Sequence, residues 1–317
     1  MTRPGVARSA PAAVLDSHAQ AGTLLRVGWV VPAMSRLYTA LFTVHHNELD
    51  AFGELRASNY ARLLQQAATE ASADVGYPAT WYALAGTLWL VRRTAIEYLQ
   101  PVHASDTLQI RTWVADFRRV RSQREYDLCV VGQQSPVAHA HTDWVYVERT
   151  SGRPRRIPQG MIESFAPAGV PPSLPRHPLA NGGAPAGAFS ATRRVEFRDL
   201  DALAHVNNAS YLDYIEQAAI DAGAAVGWPL ERIVGLGGYW RPRAHDIEYL
   251  AEAFYGDGLC CVTWVTGHEG AQVERQSEVR RAVDGSLIAR ARSRWVWVER
   301  ATRELADIPA QLVGALA

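Results

Sequence analysis

The sequence predicts an α+β protein made of two copies of one unit, each a long helix wrapped by a curved antiparallel sheet. Three observations support this: an internal repeat, one helical segment in each copy, and strand patterns after each helix. The predicted organisation is a flexible leader at residues 1–35, a domain at 36–158, a Pro/Gly/Ala-rich linker at 159–188 and a second domain at 189–317.

The repeat has a spacing of 151 residues and aligns residues 40–158 with 191–309 without a gap. Roughly three in ten aligned positions are identical, and chance does not keep such a register. The matched segments include Leu49–Ala51 with Leu200–Ala202, Ile96–Leu99 with Ile247–Leu250, and Trp144–Arg149 with Trp295–Arg300. Each copy is therefore one structural module, and the segment between them joins the two.

The elements of the second copy can be predicted in order. A strand at 191–197 ends in a polar turn, and a helix follows for which Asn207 and Asn208 are typical N-cap residues and Gly223 a typical stop. Four further strands, separated by Gly/Asp turns, are predicted at 238–250, 259–266, 273–282 and 287–299.

Composition excludes several classes of function. The formal net charge is zero, so no global basic field favours nucleic acid, and no apolar run approaches the roughly 20 residues that span a bilayer. The three cysteines have no metal-ligand spacing, which predicts neither a metal nor another cofactor. We expect a cytoplasmic protein with no nucleic-acid partner and no membrane insertion.

Residues 195–218, VEFRDLDALAHVNNASYLDYIEQA, resemble the opening of hotdog-fold thioesterases of the 4-hydroxybenzoyl-CoA and long-chain acyl-CoA type. Their HVNN segment also looks like that of plant-type acyl-carrier-protein thioesterases, which are double hotdogs. Residues 247–259 are similar to the central strand and turn of the family. The resemblance covers both copies. It implies a tandem hotdog that hydrolyses thioesters of acyl carrier protein (ACP) or CoA, in fatty acid or polyketide metabolism.

The resemblance also implies site residues. Asp201 matches the catalytic carboxylate, His205 the histidine of the plant-type group, and Glu252 a plant-type acidic residue. Asn208 falls where a backbone amide at the helix start polarises the thioester carbonyl. The plant-type Asn and Cys are replaced here by Leu203 and Ala253, which argues against a literal plant-type triad.

The chemistry of these residues agrees with that assignment. Asp201 can attack the carbonyl or deprotonate water, and both roles stay open. Unsatisfied N–H groups at the helix start can stabilise the oxyanion, and His205 can orient water or bind the carbonyl. Asn207 and Tyr211 are expected to contact substrate. The structural alternatives are a turn-capping aspartate, a hydrogen-bonded interface histidine and helix-capping asparagines.

The two copies differ around the candidate site. Asp50 matches Asp201, whereas Glu54 and Ala57 stand at the positions of His205 and Asn208. The second copy is therefore expected to hold the main site. Asp50 and Glu54 would contribute to the substrate path or to a second, altered site, and Glu216 is expected to be structural.

Arg290, Arg292 and Arg294 alternate along one strand and would form either a cationic face for CoA or carrier protein, or an ordinary solvated face. All 32 basic residues are arginine, which lowers the weight of any arginine cluster.

Two rival functions remain. A hotdog hydratase uses an Asp and a His five residues apart with Asn-Pro between them, whereas Asp201 and His205 are four apart with Ala-Leu-Ala between. A double hotdog that binds acyl thioesters without catalysis is the non-enzymatic alternative. The repeat makes one chain equivalent to a hotdog dimer, so we expect a monomer or a homo-oligomer of such pseudo-dimers.

Overall fold

The computed structural model describes residues 35–169, 179 and 183–315. The predicted leader, except its last residue, and most of the second half of the predicted linker lie outside the described residues. The first half contains β1 (Tyr38–Thr43), α1 (Ala57–Asp74), α2 (Ala79–Leu84), β2 (Thr87–Tyr98), β3 (Thr107–Phe117), β4 (Arg121–Val130), β5 (Pro136–Glu148) and α3 (Gln159–Phe165). The second half contains β6 (Phe189–Arg194), α4 (Ser210–Ala225), α5 (Leu230–Val234), β7 (Gly238–Tyr249), β8 (Gly258–Glu269), β9 (Gln272–Arg281), β10 (Leu287–Glu299) and α6 (Ala310–Val313).

All ten strands form one antiparallel sheet in the order β1-β3-β4-β5-β2-β7-β10-β9-β8-β6. Each half contributes five neighbouring strands, and β2 pairs with β7 to join them. The predicted tandem α+β architecture, with two hotdog units sharing a sheet, is therefore confirmed.

The centre of the β2–β7 pairing lies at Ala95 and Asp246. These two residues pair with each other across the strands and are also equivalent positions of the repeat. Arg93 reaches Asp246 with two hydrogen bonds, Nε to Oδ1 at 2.7 Å and Nη2 to Oδ2 at 2.6 Å. Such a fork-to-carboxylate pair is geometrically specific as well as stabilising, so it fixes the register of the two strands.

The long helices α1 and α4 pack against each other on the same face of the sheet. Their buried residues, including Tyr60 and Leu64 of α1 and Leu212 and Ile215 of α4, belong to one core that runs through both halves. These residues recur at helical spacing, which explains why each amphipathic helix buries one stripe. The largest core cluster is therefore shared by both halves, and smaller apolar clusters lie beside it.

Several boundaries differ from the predictions. The helix α4 starts at Ser210 with Ala209 as N-cap, so Asn207 and Asn208 precede the cap rather than form it. The short helices α2, α5 and α6 were not predicted. The predicted linker begins with α3, whose Met161 and Phe165 are buried against the first half. Periodicity cannot detect helices of one to two turns.

Within the described part of the chain, no helix is long and apolar enough to cross a bilayer.

Candidate active site

The loop that carries Asp201 is held by its own backbone. Asp201 donates its N–H to the His205 carbonyl at 2.9 Å, and its Oδ1 accepts the Leu203 N–H at 2.8 Å. Ala204 completes this tight turn with a φ of 62°, in the left-handed region. The turn fixes the Asp201 carboxylate at the end of the strand-to-helix connection. Among the described residues this carboxylate has no hydrogen bond to the helix start.

His205 lies between two residues of the segment after β7. Its Nδ1 is 3.6 Å from Glu252 Oε1, and its ring meets Phe254 edge to face at 5.2 Å between centroids. The His205 and Glu252 side chains are 24% and 48% exposed, so solvent and substrate can reach them. The structure thus brings together two residues that lie 47 positions apart in sequence.

The start of α4 offers the predicted backbone donor. Asn207 Oδ1 accepts the Ala209 N–H at 2.9 Å, and the Asn208 carbonyl accepts the Tyr249 hydroxyl at 3.1 Å. No hydrogen bond from the Asn208 N–H occurs among the described residues. Asn207 therefore orders the entry to the helix and leaves the Asn208 N–H available, next to the positive end of the α4 dipole.

Tyr211, which was predicted to contact substrate, lies in the core. It is 3% exposed, belongs to the core and meets Tyr249 edge to face at 5.6 Å. Burial raises the pKa of its hydroxyl well above the usual value for tyrosine. The first half has the equivalent pair Tyr60 and Tyr98 at 5.0 Å. This repetition indicates that the pair packs the helix onto the sheet, which is a structural task shared by both halves.

An apolar cavity lies beside the Asp201 loop and extends along α1; we call it the α1 cavity. Its volume is about 280 Å³. Leu203 contributes from the second half, and Gln65 and Thr69 contribute from α1. Its other lining residues include Tyr82, Trp89, Val114, Phe117, Trp144 and Phe165, together with Arg124 and Arg149. The cavity therefore combines a second-half loop with a first-half interior.

The matching loop around Asp50 has a glutamate, Glu54, where the Asp201 loop has His205, and this carboxylate has a different role. Glu54, at the position of His205, is 5% exposed and accepts hydrogen bonds from the Tyr239 hydroxyl at 2.5 Å and from Arg241 at 2.8 and 2.6 Å. Phe52 stacks on Tyr239 at 4.1 Å. Glu54 was predicted to bind substrate, and the structure shows that its carboxylate clamps the first-half loop to β7.

Asp50 keeps the loop geometry of Asp201. Its Oδ1 accepts the N–H groups of Phe52 and Glu54 at 2.8 and 3.0 Å. Burial, and secondarily the nearby Glu54 and Glu216 carboxylates, raise the pKa of Asp50 above its usual value in spite of these hydrogen bonds. Asp50 and other charged residues line a cavity of about 320 Å³ that α4 also lines, which we call the α4 cavity.

One group of polar residues was missed by the sequence analysis. His245 on β7 is 1% exposed, and its Nε2 lies 3.1 Å from Glu216 Oε1 while its Nδ1 lies 2.8 Å from the Ser293 hydroxyl. The first half has Gln65, Thr94 and Thr142 at these three positions. A comparison of the two copies for polar differences would have revealed this group.

The arginines of β10 are largely paired. Arg290 contacts Glu248 at 2.6 Å and Arg294 contacts Glu97 at 3.6 Å, while Arg292 is exposed. Acidic partners thus reduce the positive charge of this strand, which favours the solvated face over a dedicated phosphate site. No group of three or more His, Cys, Asp or Glu side chains in the described ranges is arranged to hold a metal ion.

The shared sheet, the two packed helices and a polar loop over an apolar cavity define a double-hotdog protein. Family models match both halves: that of the acyl-ACP thioesterase N-terminal domain matches residues 35–165, and that of the thioesterase-like superfamily matches residues 195–316. Each half of the chain therefore matches a thioesterase family model, the first half that of the acyl-ACP thioesterases and the second half that of the thioesterase-like superfamily.

Named relatives agree with this assignment. The chloroplastic oleoyl-acyl carrier protein thioesterase 2 of Arabidopsis thaliana is 23% identical over 56% of this chain, and the alignment spans about half (53%) of that relative's length. The acyl-ACP thioesterase of Bacteroides thetaiotaomicron superposes with a TM-score of 0.65 at 20% identity, over 82% of this chain and 97% of its own. The 12:0-ACP thioesterase of Umbellularia californica superposes with a TM-score of 0.68 at 16% identity, over 82% of this chain and 94% of its own.

Proposed function

We propose that the protein hydrolyses acyl thioesters of acyl carrier protein or CoA to a carboxylic acid and a thiol. The observation that carries this proposal is the arrangement around the Asp201 loop. A fixed carboxylate, an accessible His205 and the α4 start lie in one short segment whose Leu203 lines the α1 cavity. The family-model matches of the two halves support the same reaction class.

In the proposed mechanism Asp201 acts on the carbonyl carbon, either directly as a nucleophile or by taking a proton from water. The developing oxyanion is stabilised by the Asn208 N–H at the positive end of α4. Loss of one such donor typically costs about 2.7–4 kcal/mol of transition-state stabilisation. His205, held near Glu252, orients the water and the thioester. The acyl chain lies in the α1 cavity.

The α1 cavity suits an acyl chain because most of its lining residues away from the Asp201 loop are aromatic or aliphatic. Burial of each CH₂ group there gains about 0.8 kcal/mol, so binding energy grows with chain length until the cavity is full. Acyl chain specificity is thus expected to depend on the residues at its end, such as Phe117 and Phe165.

Thiol release from a panel of acyl-ACP and acyl-CoA substrates of different chain lengths tests the function. We expect turnover above the uncatalysed rate on at least one substrate, and the ratio of kcat/KM values for the same acyl group on the two carriers identifies the preferred thiol. Tight binding of acyl thioesters without any turnover would instead support the non-catalytic alternative.

A further inference from the structure

The residues Ser293, His245 and Glu216 form a buried chain of hydrogen bonds across β10, β7 and α4. Ser293 and His245 are 3% and 1% exposed, whereas the Glu216 side chain is 20% exposed. His245 also lies between the rings of Tyr98 and Trp295, at 5.8 and 5.7 Å. Packing therefore locks the imidazole, and the imidazole holds one face of the Glu216 carboxylate.

The Glu216 carboxylate lines the α4 cavity, together with Asp50 and Ala57 of the first half. Ala57 is the first residue of α1, so the positive end of an 18-residue helix faces this cavity. The α4 cavity thus holds two carboxyl groups and a helix start, contributed by both halves. It is the counterpart of the Asp201 site, with a glutamate where that site has Gln65.

The α4 cavity adjoins an apolar cavity of about 390 Å³, which we call the tryptophan cavity because Trp228, Trp240, Trp264 and Trp295 line it. The residues lining both cavities are Phe52, Ile220, Leu230, Trp240 and Trp295. Most of the charged residues lie around the α4 cavity and most of the tryptophans around the other, so the pair of cavities suits an amphipathic ligand.

Charged residues of both signs line this end of the space: Asp50, Glu54 and Glu216 with Arg56, Arg241 and Arg243. Arg241 is held by Glu54, and the Arg56 guanidinium donates to the Leu49 carbonyl. A thioester carbonyl is neutral and accepts hydrogen bonds from backbone N–H groups, such as those at the start of α1. An acyl thioester therefore suits a space with balanced charges, a helix start and an adjoining apolar cavity.

We propose that the α4 cavity is a second thioester-hydrolysing site, with Glu216 as its general base and the tryptophan cavity as its acyl pocket. This inference rests on the thioesterase function proposed above. Glu216 takes a proton from water, the water oxygen bonds to the carbonyl carbon, and the C–S bond breaks. The departing thiolate then takes the proton from Glu216, so the products are a carboxylic acid and a thiol.

The two carboxyl groups have separate tasks in this site. The raised pKa of Asp50, caused first by its burial, keeps a proton on Asp50 more readily than on an ordinary aspartate. Asp50 holds the loop in place by accepting the N–H groups of Phe52 and Glu54, and Glu216 is the carboxylate proposed as the base.

Activity of the purified full chain tests the proposal when the Asp201 site is disabled. We expect Asp201→Asn to keep a residual turnover on the order of 1% of wild type. Glu216→Gln in that background should reduce this residual turnover at least tenfold. Asp221→Asn, on the same helix but outside the three cavities, should leave the residual turnover unchanged. The proposal of a second site is overturned if Glu216→Gln does not reduce the residual turnover. It is also overturned if Asp201→Asn shows no turnover above the uncatalysed rate.

Ligand stoichiometry gives a readout that does not depend on turnover. Calorimetric titration with a non-hydrolysable thioether analogue of acyl-CoA should give two binding sites per chain. Ile220→Trp should remove one site by filling the α4 and tryptophan cavities, and its repeat equivalent Thr69→Trp should remove the other. Both positions are exposed, so the variants should fold. One site in the wild type refutes the inference, whereas two sites without any turnover refute only the hydrolytic function.

Discussion

Arg62 of α1 and Asp213 of α4 are equivalent residues of the repeat and form an ion pair, with Arg62 Nη2 3.3 Å from Asp213 Oδ2. The pair lies where the two long helices meet. In a dimer of identical units the same position would face itself and place like charges together. Fusion of the two copies has allowed opposite charges at this contact.

The first prediction concerns the strength of this pair. Both side chains are more than 40% exposed, so the coupling should be only about 0.2–1 kcal/mol. We expect Arg62→Asp to lower the free energy of unfolding by about that amount, because it faces Asp213 with a like charge. The double swap Arg62→Asp/Asp213→Arg should recover most of the loss in urea unfolding. Additive losses in the double variant would show that the pair contributes nothing.

The second prediction compares the two aspartates. Asp201→Asn removes charge and basicity with little change of shape, so kcat should fall by at least about a hundredfold. Asp50→Asn should cost less than about tenfold, since it affects only the slower second site. Thiol release measures both. Binding of a substrate analogue should persist in Asp201→Asn.

Each variant is a structural control for the other because the two loops make the same backbone hydrogen bond. The Asp50 N–H donates to the Glu54 carbonyl at 2.8 Å, and the Asp201 N–H donates to the His205 carbonyl at 2.9 Å. Equal losses of activity would mean two equally active sites or a structural role, and melting temperatures separate these cases. A larger loss at Asp50 would assign the main site to the first-half loop.

The third prediction separates stability from activity at another equivalent pair. Glu54→Gln leaves Arg241, whose side chain is 15% exposed, without its carboxylate. Breaking a buried pair in this way costs about 3–5 kcal/mol. His205→Gln should affect kcat more than the free energy of unfolding. The first-half equivalents of Tyr239 and Arg241 are Leu88 and Leu90, so no tyrosine and arginine at those positions clamp the His205 side chain. Chemical denaturation and kinetics of both variants test this contrast.

The fourth prediction follows from the raised pKa of Asp50, whose ordinary value is 3.8. The folded state binds this proton more tightly than the unfolded state, so Asp50 contributes stability at low pH that is lost as pH rises through its folded pKa. Asp50→Asn keeps the Oδ1 acceptor and should therefore be more stable than wild type at pH 7. That advantage should disappear near pH 4. A difference in melting temperature that does not change with pH would contradict the shift.

The fifth prediction is that hydrolysis persists in a strong chelator. The sequence has no Cys/His spacing typical of a metal site, and the proposed mechanism uses carboxylates, His205 and backbone donors without a metal ion. Thiol release with and without chelator gives the answer. Activity that disappears and then returns with zinc would refute the metal-free mechanism.

Much of the fold was predictable because the repeat doubles every signal. The strand Leu287–Glu299 was predicted with its observed bounds, since turn residues precede it and its pattern recurs in the first copy. The joined sheet followed from the length of the repeat. The start of α4 was placed too early because Asn207 caps the turn before the helix, and sequence alone does not separate these two uses of an asparagine.

The candidate site was predictable only in part. The Asp201 loop is a local segment, so its residues were found together. Glu252 was placed by resemblance, and the structure brings it near His205. The group around His245 was missed because its members lie on three elements and form no local motif. The clamp between Glu54 and Arg241 was missed because it joins the halves across 187 residues.

The joined strands β2 and β7 have a consequence for the assembly of the separate halves. Each is a 12-residue strand that would become an open edge if a half were produced alone. Two second halves pairing through β7 would bring Asp246 opposite Asp246 and Asp213 beside Asp213. Two first halves would bring Arg62 beside Arg62. Charges at the pseudo-two-fold axis therefore discriminate against self-pairing, and a first half recognises a second half in preference to its own copy.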